Sequence, residues 1–212
     1  MKLSMHTNFI LFDFDGVIVD SFATAFEVKK MICPNATEAD YKKGFEGNIN
    51  DWQKADTKHD EKCRHDIDFF AEYIPRIKER VLTIPGIEKV IKELAKSYTL
   101  IVISSTLTAP IQGLLEKYNL APFFVEVMGN DVHTSKVEKM KMVFSKYNID
   151  SNKCVFITDT LGDMREAKHV KMGSIGVTWG FHDRETLIRG EPFKIVEKPE
   201  DLVTTVSEYF KK

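Results

Sequence analysis

Phe9-Ile10-Leu11-Phe12-Asp13-Phe14-Asp15-Gly16 is the stretch on which the fold turns. Four apolar residues in a row suit a strand buried on both faces, and the run stops abruptly at a carboxylate. A second carboxylate follows two residues later, directly before a glycine. An Asp-x-Asp pair is often only a solvated turn. Standing after a buried strand and before Gly16, this one reads instead as a site at a strand end.

Outward from that run, short apolar segments recur at Thr99–Ile103 and at residues 123–128, 154–157, 174–178 and 193–196. Helical spacing fills the gaps between them. Ile87, Val90, Ile91 and Leu94 repeat at i, i+3, i+4, i+7, as do Ile111, Leu114, Leu115 and Tyr118, and then Met140, Val143, Phe144 and Tyr147. Residues 161–170 and 199–210 read as further helices. Strands alternating with helices predict an α/β fold, a Rossmann-like doubly wound parallel sheet covered on both faces.

Residues 21–82 break the alternation. They contain no strand-like run and several helical ones. Asp20 or Ser21 is a plausible N-cap for a first helix, which Pro34-Asn35-Ala36-Thr37 ends. Residues 44–48 read as a loop. Ile67, Phe70, Ala71, Ile74, Ile77 and Val81 fall on one helical face, with a kink expected at Pro75. The block is therefore a small α-helical domain inserted after the first strand. Residues 1–16 and 84–212 form the sheet domain, and residues 17–83 the insert.

The composition is that of an ordinary globular chain. Of 212 residues, 43% are hydrophobic and 29% charged, and the net charge is −2. That length supports one well-buried core with a small accessory unit. The near-neutral balance argues against nucleic acid or a membrane surface as partner. No apolar run approaches the roughly 20 residues of a membrane span. Residues 1–8 lack the apolar stretch of a signal peptide. Cys33, Cys63 and Cys154 are an odd, widely spaced set and read as free thiols of a reduced, cytoplasmic protein. His59, Cys63 and His65 are zinc-ligand types, but no fourth ligand is evident and the segment reads as a polar helix face.

In open parallel sheets ligands bind beyond the carboxyl ends of the strands. The residues standing there are Asp13 and Asp15, Ser104 and Ser105, residues 131–136, Asp159 and Asp163, and Trp179 and Gly180. So many carboxylates on one rim repel one another unless a cation sits among them. Their hard oxygens favour magnesium over zinc. A lysine beside them suggests an anion as well, and a phosphate satisfies both the metal and the lysine. Lys139 and Lys141 compete with Lys136, but Lys136 opens its helix at the rim. Trp179 and Phe181 read as packing residues. His133 and His182 lie on rim loops and receive no role. The loop at residues 44–48 is the candidate substrate contact in the insert.

Read together, these segments resemble the four motifs of the haloacid dehalogenase-like superfamily. Residues 13–21, Asp-Phe-Asp-Gly-Val-Ile-Val-Asp-Ser, resemble the first. Ile101-Val102-Ile103-Ser104 resembles the second, Lys136 the third, and residues 156–163, an acidic pair separated by three residues, the fourth. Gly176-Val177-Thr178-Trp179-Gly180 is similar to the segment after the fifth strand in phosphoglycolate-phosphatase-like members. The resemblance implies a phosphohydrolase in which Asp13 is the nucleophile and Asp15 the general acid and base. It implies Mg2+ held by the Asp13 carboxylate, the Asp15 carbonyl and Asp159, with Asp163 supporting that shell or orienting Lys136. Ser104, Ser105 and Lys136 would bind the substrate phosphate, and the insert would be a cap over the rim. Three positions depart from the common pattern: Ser105 where Asn is frequent, Val137 where Pro follows the lysine, and Thr158 where Gly is frequent. None removes a reacting group.

The expected function is a magnesium-dependent phosphatase acting on a small-molecule phosphomonoester, with a monomer as the default state. A β-phosphoglucomutase-like phosphomutase would share the four motifs. A haloacid dehalogenase would lack the acid at Asp15, and a non-catalytic binding protein would have lost a reacting group.

Overall fold

The computed structural model describes residues 6–50 and 62–211. Six strands form one sheet: β1 (Phe9–Phe12), β2 (Thr99–Ile103), β3 (Phe124–Met128), β4 (Cys154–Thr158), β5 (Gly173–Val177) and β6 (Lys194–Val196). Their spatial order is β3-β2-β1-β4-β5-β6, and every pairing is parallel. β1 is central, which is why all four of its residues are buried. Side chains alternate across it. Ile10 and Phe12 join one hydrophobic cluster with Leu100, Val102, Val155 and Ile157. Phe9 and Leu11 join a second with Ile101, Ile103 and Phe156 on the other face. Continuous apolar runs are thus what a sheet covered on both sides requires.

The chain runs from β1 outward to β2 and β3, then returns to the other side of β1 as β4. The strand order reverses between β1 and β4, and a crevice opens at their carboxyl ends. Phe12 pairs with Ile157, so Asp13 and Asp159 emerge side by side from neighbouring strands.

Among the described residues the insert carries three helices: α1 (Phe22–Ile32), α2 (Glu38–Gly44) and α3 (Phe69–Arg80). The chain enters and leaves this insert along itself. Asp20 N–H donates to Leu82 O at 3.0 Å and Ile84 N–H to Ile18 O at 2.9 Å. Beyond it come α4 (Ile87–Leu94), α5 (Thr108–Lys117), α6 (Lys136–Tyr147), α7 (Leu161–His169), α8 (Arg184–Ile188) and α9 (Asp201–Tyr209). The expected stripe of α4 is buried in full.

The insert departs from expectation in the buried face of its last helix and in its cysteines. α3 is one helix that runs through Pro75, started by Asp68, whose side chain accepts from Ala71 N–H at 2.8 Å. Its buried face carries Tyr73, Ile77 and Val81, while Ala71 is exposed. Ile77 and Val81 of the expected stripe lie on this face, but its centre is Tyr73, which the stripe left out. The reading of three free thiols is also corrected, since Cys33 and Cys63 form a disulfide with Cα atoms 4.3 Å apart. The end of α1 and the chain before α3 run together there, which a separation of 30 residues does not reveal. Cys63 is therefore no thiolate ligand for zinc, and His65 lies in a turn rather than on a helix. His59 lies outside the described residues. Cys154 remains free and buried. No described helix is long and apolar enough to cross a membrane.

Candidate active site

Asp13 continues the β1 ladder, its N–H donating to Ile157 O at 2.9 Å. Its Oδ1 accepts from Phe14 N–H at 2.8 Å, and its Oδ2 lies 3.0 Å from Lys136 Nζ. Lys136 opens α6, whose N-cap Ser135 accepts from Glu138 N–H. That cap aims the lysine inward, where Nζ also meets Asp163 Oδ2 at 2.7 Å. The same Asp163 oxygen accepts from Thr158 Oγ1 at 2.7 Å. Asp163 stands in the first turn of α7, fixed by Thr160 as N-cap. Lys141 pairs with Glu138 on the surface. Lys139 is fully buried, but its ammonium donates to Ser104 O at 2.6 Å and Gly129 O at 3.2 Å, tying two rim loops together. Burial pushes that ammonium down to about 8, and Lys136 adds to the effect.

Asp15 is held differently. Its Oδ2 accepts from Thr106 Oγ1 at 2.7 Å and, at 3.5 Å, from Ser104 Oγ. Its Oδ1 accepts from Tyr73 OH at 2.6 Å, a residue of the insert. Ser104 is wholly buried and its Oγ also accepts from Thr106 N–H, so of the run Ser104-Ser105-Thr106 the last two line the cavity. Asp159 is wholly buried. Its Oδ2 accepts from Phe181 N–H at 2.7 Å, and its Oδ1 has no hydrogen-bond partner. Gly16 passes so close, at φ +73°, that a Cβ would collide with this carboxylate.

Three buried carboxylates, Asp13, Asp159 and Asp163, thus face one ammonium. Burial raises Asp13 well above the usual carboxylate range, with Lys136 opposing and Asp163 and Asp159 adding to the rise. Burial likewise pushes Asp159 up to about 7, against the Phe181 N–H. For Asp163 burial acts upward too, but the Lys136 charge and three side-chain hydrogen bonds outweigh it, and the group lies low. Burial alone would depress Lys136; its two carboxylate partners hold it above the usual lysine range. With all three ionised, two negative charges would stay uncompensated, and one divalent cation would balance them and so oppose the upward push of burial.

The residues fit such an ion. The bare, buried Asp159 Oδ1 is an acceptor waiting for a partner. Among the described residues no three His, Cys, Asp or Glu side chains converge closely enough to chelate a metal alone. The oxygens on offer are hard carboxylate ligands, a chemistry that fits magnesium, which takes one or two carboxylates and keeps waters.

Above the rim lies a cavity of about 280 Å³. Its floor includes Asp13, Asp15, Lys136 and Asp163, and its walls include Tyr41, Phe45, Phe69 and Phe70 of the insert. Gly47, Asn48 and Asn50 reach it as well. Asn48 Nδ2 donates to Glu166 Oε1 at 3.0 Å, and Gly162 N–H to Phe45 O at 2.9 Å, so the loop after α2 rests on the start of α7. His182, buried, joins the same two parts. Its Nδ1 accepts from Leu161 N–H at 3.0 Å, leaving Nε2–H to donate to Lys42 O at 2.8 Å.

Sequence reasoning passed over Tyr73, Thr106, Thr158 and the backbone N–H of Phe181. Thr106 closes a run of hydroxyls, Ser104-Ser105-Thr106, which was signal enough to include it. Tyr73 lies 58 residues from Asp15, and nothing local marks it.

This arrangement has counterparts. The family model described as haloacid dehalogenase-like hydrolase matches residues 10–177, from β1 through β5. The chain belongs to the haloacid dehalogenase-like hydrolase family. A phosphoglycolate phosphatase of Synechococcus elongatus is 23% identical, over 94% of this chain and 97% of that protein. A protein named "Probable phosphatase IndB" of Dickeya dadantii is 32% identical over 58% of this chain and 55% of its own length. A solved haloacid dehalogenase-like hydrolase from Streptococcus pneumoniae superposes with a TM-score of 0.78 at 20% identity, covering 94% of this chain and 98% of that one, and carries the same fold.

Proposed function

We propose that this protein is a magnesium-dependent phosphatase that hydrolyses a small-molecule phosphomonoester through an aspartyl-phosphate on Asp13. One observation carries the reading. A buried cluster of carboxylates around the Lys136 ammonium stands at the sheet's switch point, on the floor of a cavity of about 280 Å³. The phosphatase names of the relatives agree with it.

An Asp13 carboxylate oxygen attacks phosphorus, and the bond from phosphorus to the leaving alkoxide breaks. Asp15 gives its proton to that alkoxide. Water then attacks phosphorus of the aspartyl-phosphate while Asp15 takes its proton, and inorganic phosphate leaves with Asp13 restored. Lys136, held by Asp163, offsets charge on the phosphoryl oxygens. The Ser105 and Thr106 hydroxyls line the path, and Ser104 backs Asp15. Asp13, the Asp15 carbonyl and Asp159 would hold magnesium, with Asp163 beside them. When bound, the ion neutralises these carboxylates and polarises a phosphoryl oxygen. Residues 17–83 act as a cap that keeps water off the rim and selects the leaving group.

The reading is tested with p-nitrophenyl phosphate. Hydrolysis requires magnesium and stops with EDTA; full turnover after exhaustive chelation would remove the metal from the mechanism. A panel of esters then ranks substrates. It begins with 2-phosphoglycolate, from the relatives' names, and includes neutral alcohols, because the cavity walls are aromatic.

A further inference from the structure

Tyr73 is the part of the insert that cavity walls alone do not explain. It is 2% exposed and stacks on Phe69 with ring centroids 5.1 Å apart. Phenylalanine would serve such packing. A phenol in a core needs a partner for its O–H, and here that partner is Asp15 Oδ1 at 2.6 Å. Thr106 Oγ1 grips the other oxygen at 2.7 Å. Asp15 is therefore fixed from both sides, once by the loop after β2 and once by α3. Asp13, by contrast, takes its bonds from Phe14 N–H and Lys136, both outside the insert.

The geometry points to Tyr73 as a positioning residue for Asp15, an assignment that rests on the acid and base role proposed above. With the insert seated on the rim, the phenol turns the Asp15 carboxylate to the orientation from which it serves the leaving oxygen. A group that transfers a proton must lie within hydrogen-bond reach of the atom it serves, and a misplacement of about 1 Å costs on the order of 10²-fold. Tyr73 thereby couples the insert to the chemistry as well as to the cavity wall. The donor is present only while α3 is in place, so proton transfer is tuned to the enclosed state of the site.

The test uses Tyr73→Phe in the full chain, which removes one oxygen and keeps the ring. It compares p-nitrophenyl phosphate, whose leaving group needs little protonation, with an alkyl phosphate that the wild type turns over. The expected result is a loss of about 10- to 100-fold in kcat on the alkyl ester and less than about threefold on p-nitrophenyl phosphate, at an unchanged melting temperature. Equal losses on both esters, or none on either, overturn the assignment. Thr106→Val removes the second grip without touching the insert and is expected to show the same dependence on leaving group. A uniform loss in that variant counts equally against it. Asp15→Asn run alongside separates the two levels. If it shows the leaving-group dependence and Tyr73→Phe does not, the Tyr73 role alone falls. If Asp15→Asn shows none, the acid and base role of Asp15 falls and takes the Tyr73 role with it.

Discussion

The floor and the roof of the cavity are built by opposite means. Asp13 and Asp159 stand directly after buried strands, Asp15 two residues beyond Asp13, and Asp163 in the first turn of α7, so the sheet edge and one helix start place them. Their partners are backbone N–H groups, one buried lysine, serine and threonine hydroxyls and, for Asp15 alone, the Tyr73 phenol of α3. The roof comes from short helices joined by ring contacts, such as Phe22 and Phe26 of α1 with Tyr41 of α2, at 6.2 and 5.9 Å between centroids. Ring contacts tolerate exchange of one side chain for another, whereas a buried charge cluster does not. On the proposed reading, a fixed floor and an adaptable roof would let one chemistry serve different leaving groups.

The contrast is broken most directly at Asp13. Asp13→Asn is expected to lower turnover on every ester by more than about 10⁴-fold and to abolish the phospho-enzyme in acid-quenched mass spectrometry. Retained turnover on any ester would show that the floor does not hold the nucleophile. Lys136→Met comes next. It strands the Asp13 and Asp163 carboxylates without their cation, and kcat is expected to fall about 10²- to 10³-fold. Denaturant titration should show a lower stability too, by about 3–5 kcal/mol. A variant as stable as the wild type would mean that the cluster is not organised around this lysine.

Roof variants should be milder. A Cβ on Gly162 would run into the Gly47 and Phe45 carbonyl oxygens, so Gly162→Ala must lift the loop after α2 from α7. Ratios of kcat/KM across the ester panel are expected to shift about tenfold, while turnover on p-nitrophenyl phosphate changes little. Unaltered ratios would deny the roof its selecting role. Opening the Cys33–Cys63 bridge should change turnover on p-nitrophenyl phosphate by less than about twofold. On the chain-entropy account a loop of this size stabilises by about 3–4 kcal/mol, read as a lower melting temperature under dithiothreitol. Thiol titration of the oxidised protein should find Cys154 alone, and three free thiols would dispose of the bridge. The smallest effect belongs to His182. Burial lowers its pKa, with the hydrogen bond to Lys42 opposing, so the folded state prefers the neutral ring. The unfolded chain then binds the proton first, and stability declines as pH falls below about 6.5. His182→Asn is expected to flatten that decline between pH 5 and 7. A slope equal to that of the wild type would place the titrating group elsewhere.

Legibility in the sequence follows the same division. The strands were readable because burial on both faces demands unbroken apolar runs, and their ends disclosed Asp13, Asp15, Asp159 and Asp163. Lys136 was readable from its place at a helix start. The face of α3 was not, because Tyr73 is buried for its hydroxyl as much as for its ring. Ser104 illustrates a different limit. Its position at a strand end was plain, but whether its Oγ faces the cavity or turns toward Asp15 depends on Thr106, two residues on. The Cys33–Cys63 pair and the Asn48–Glu166 bond join distant segments, and no local pattern announces either.

One hydrophobic cluster runs from Ile10 and Phe12 on the sheet through Val17 and Ile18 to Val28, Tyr41, Tyr73 and Ile77 in the insert. The boundary between the two parts therefore exists along the chain and not in the oil between them. An insert borrowed from a relative would arrive with a core cut to a different sheet face. In lineages that exchange such inserts, Val17, Ile18 and Ile84 at the seam are the residues expected to change in step with the graft, leaving the aspartates beside them untouched.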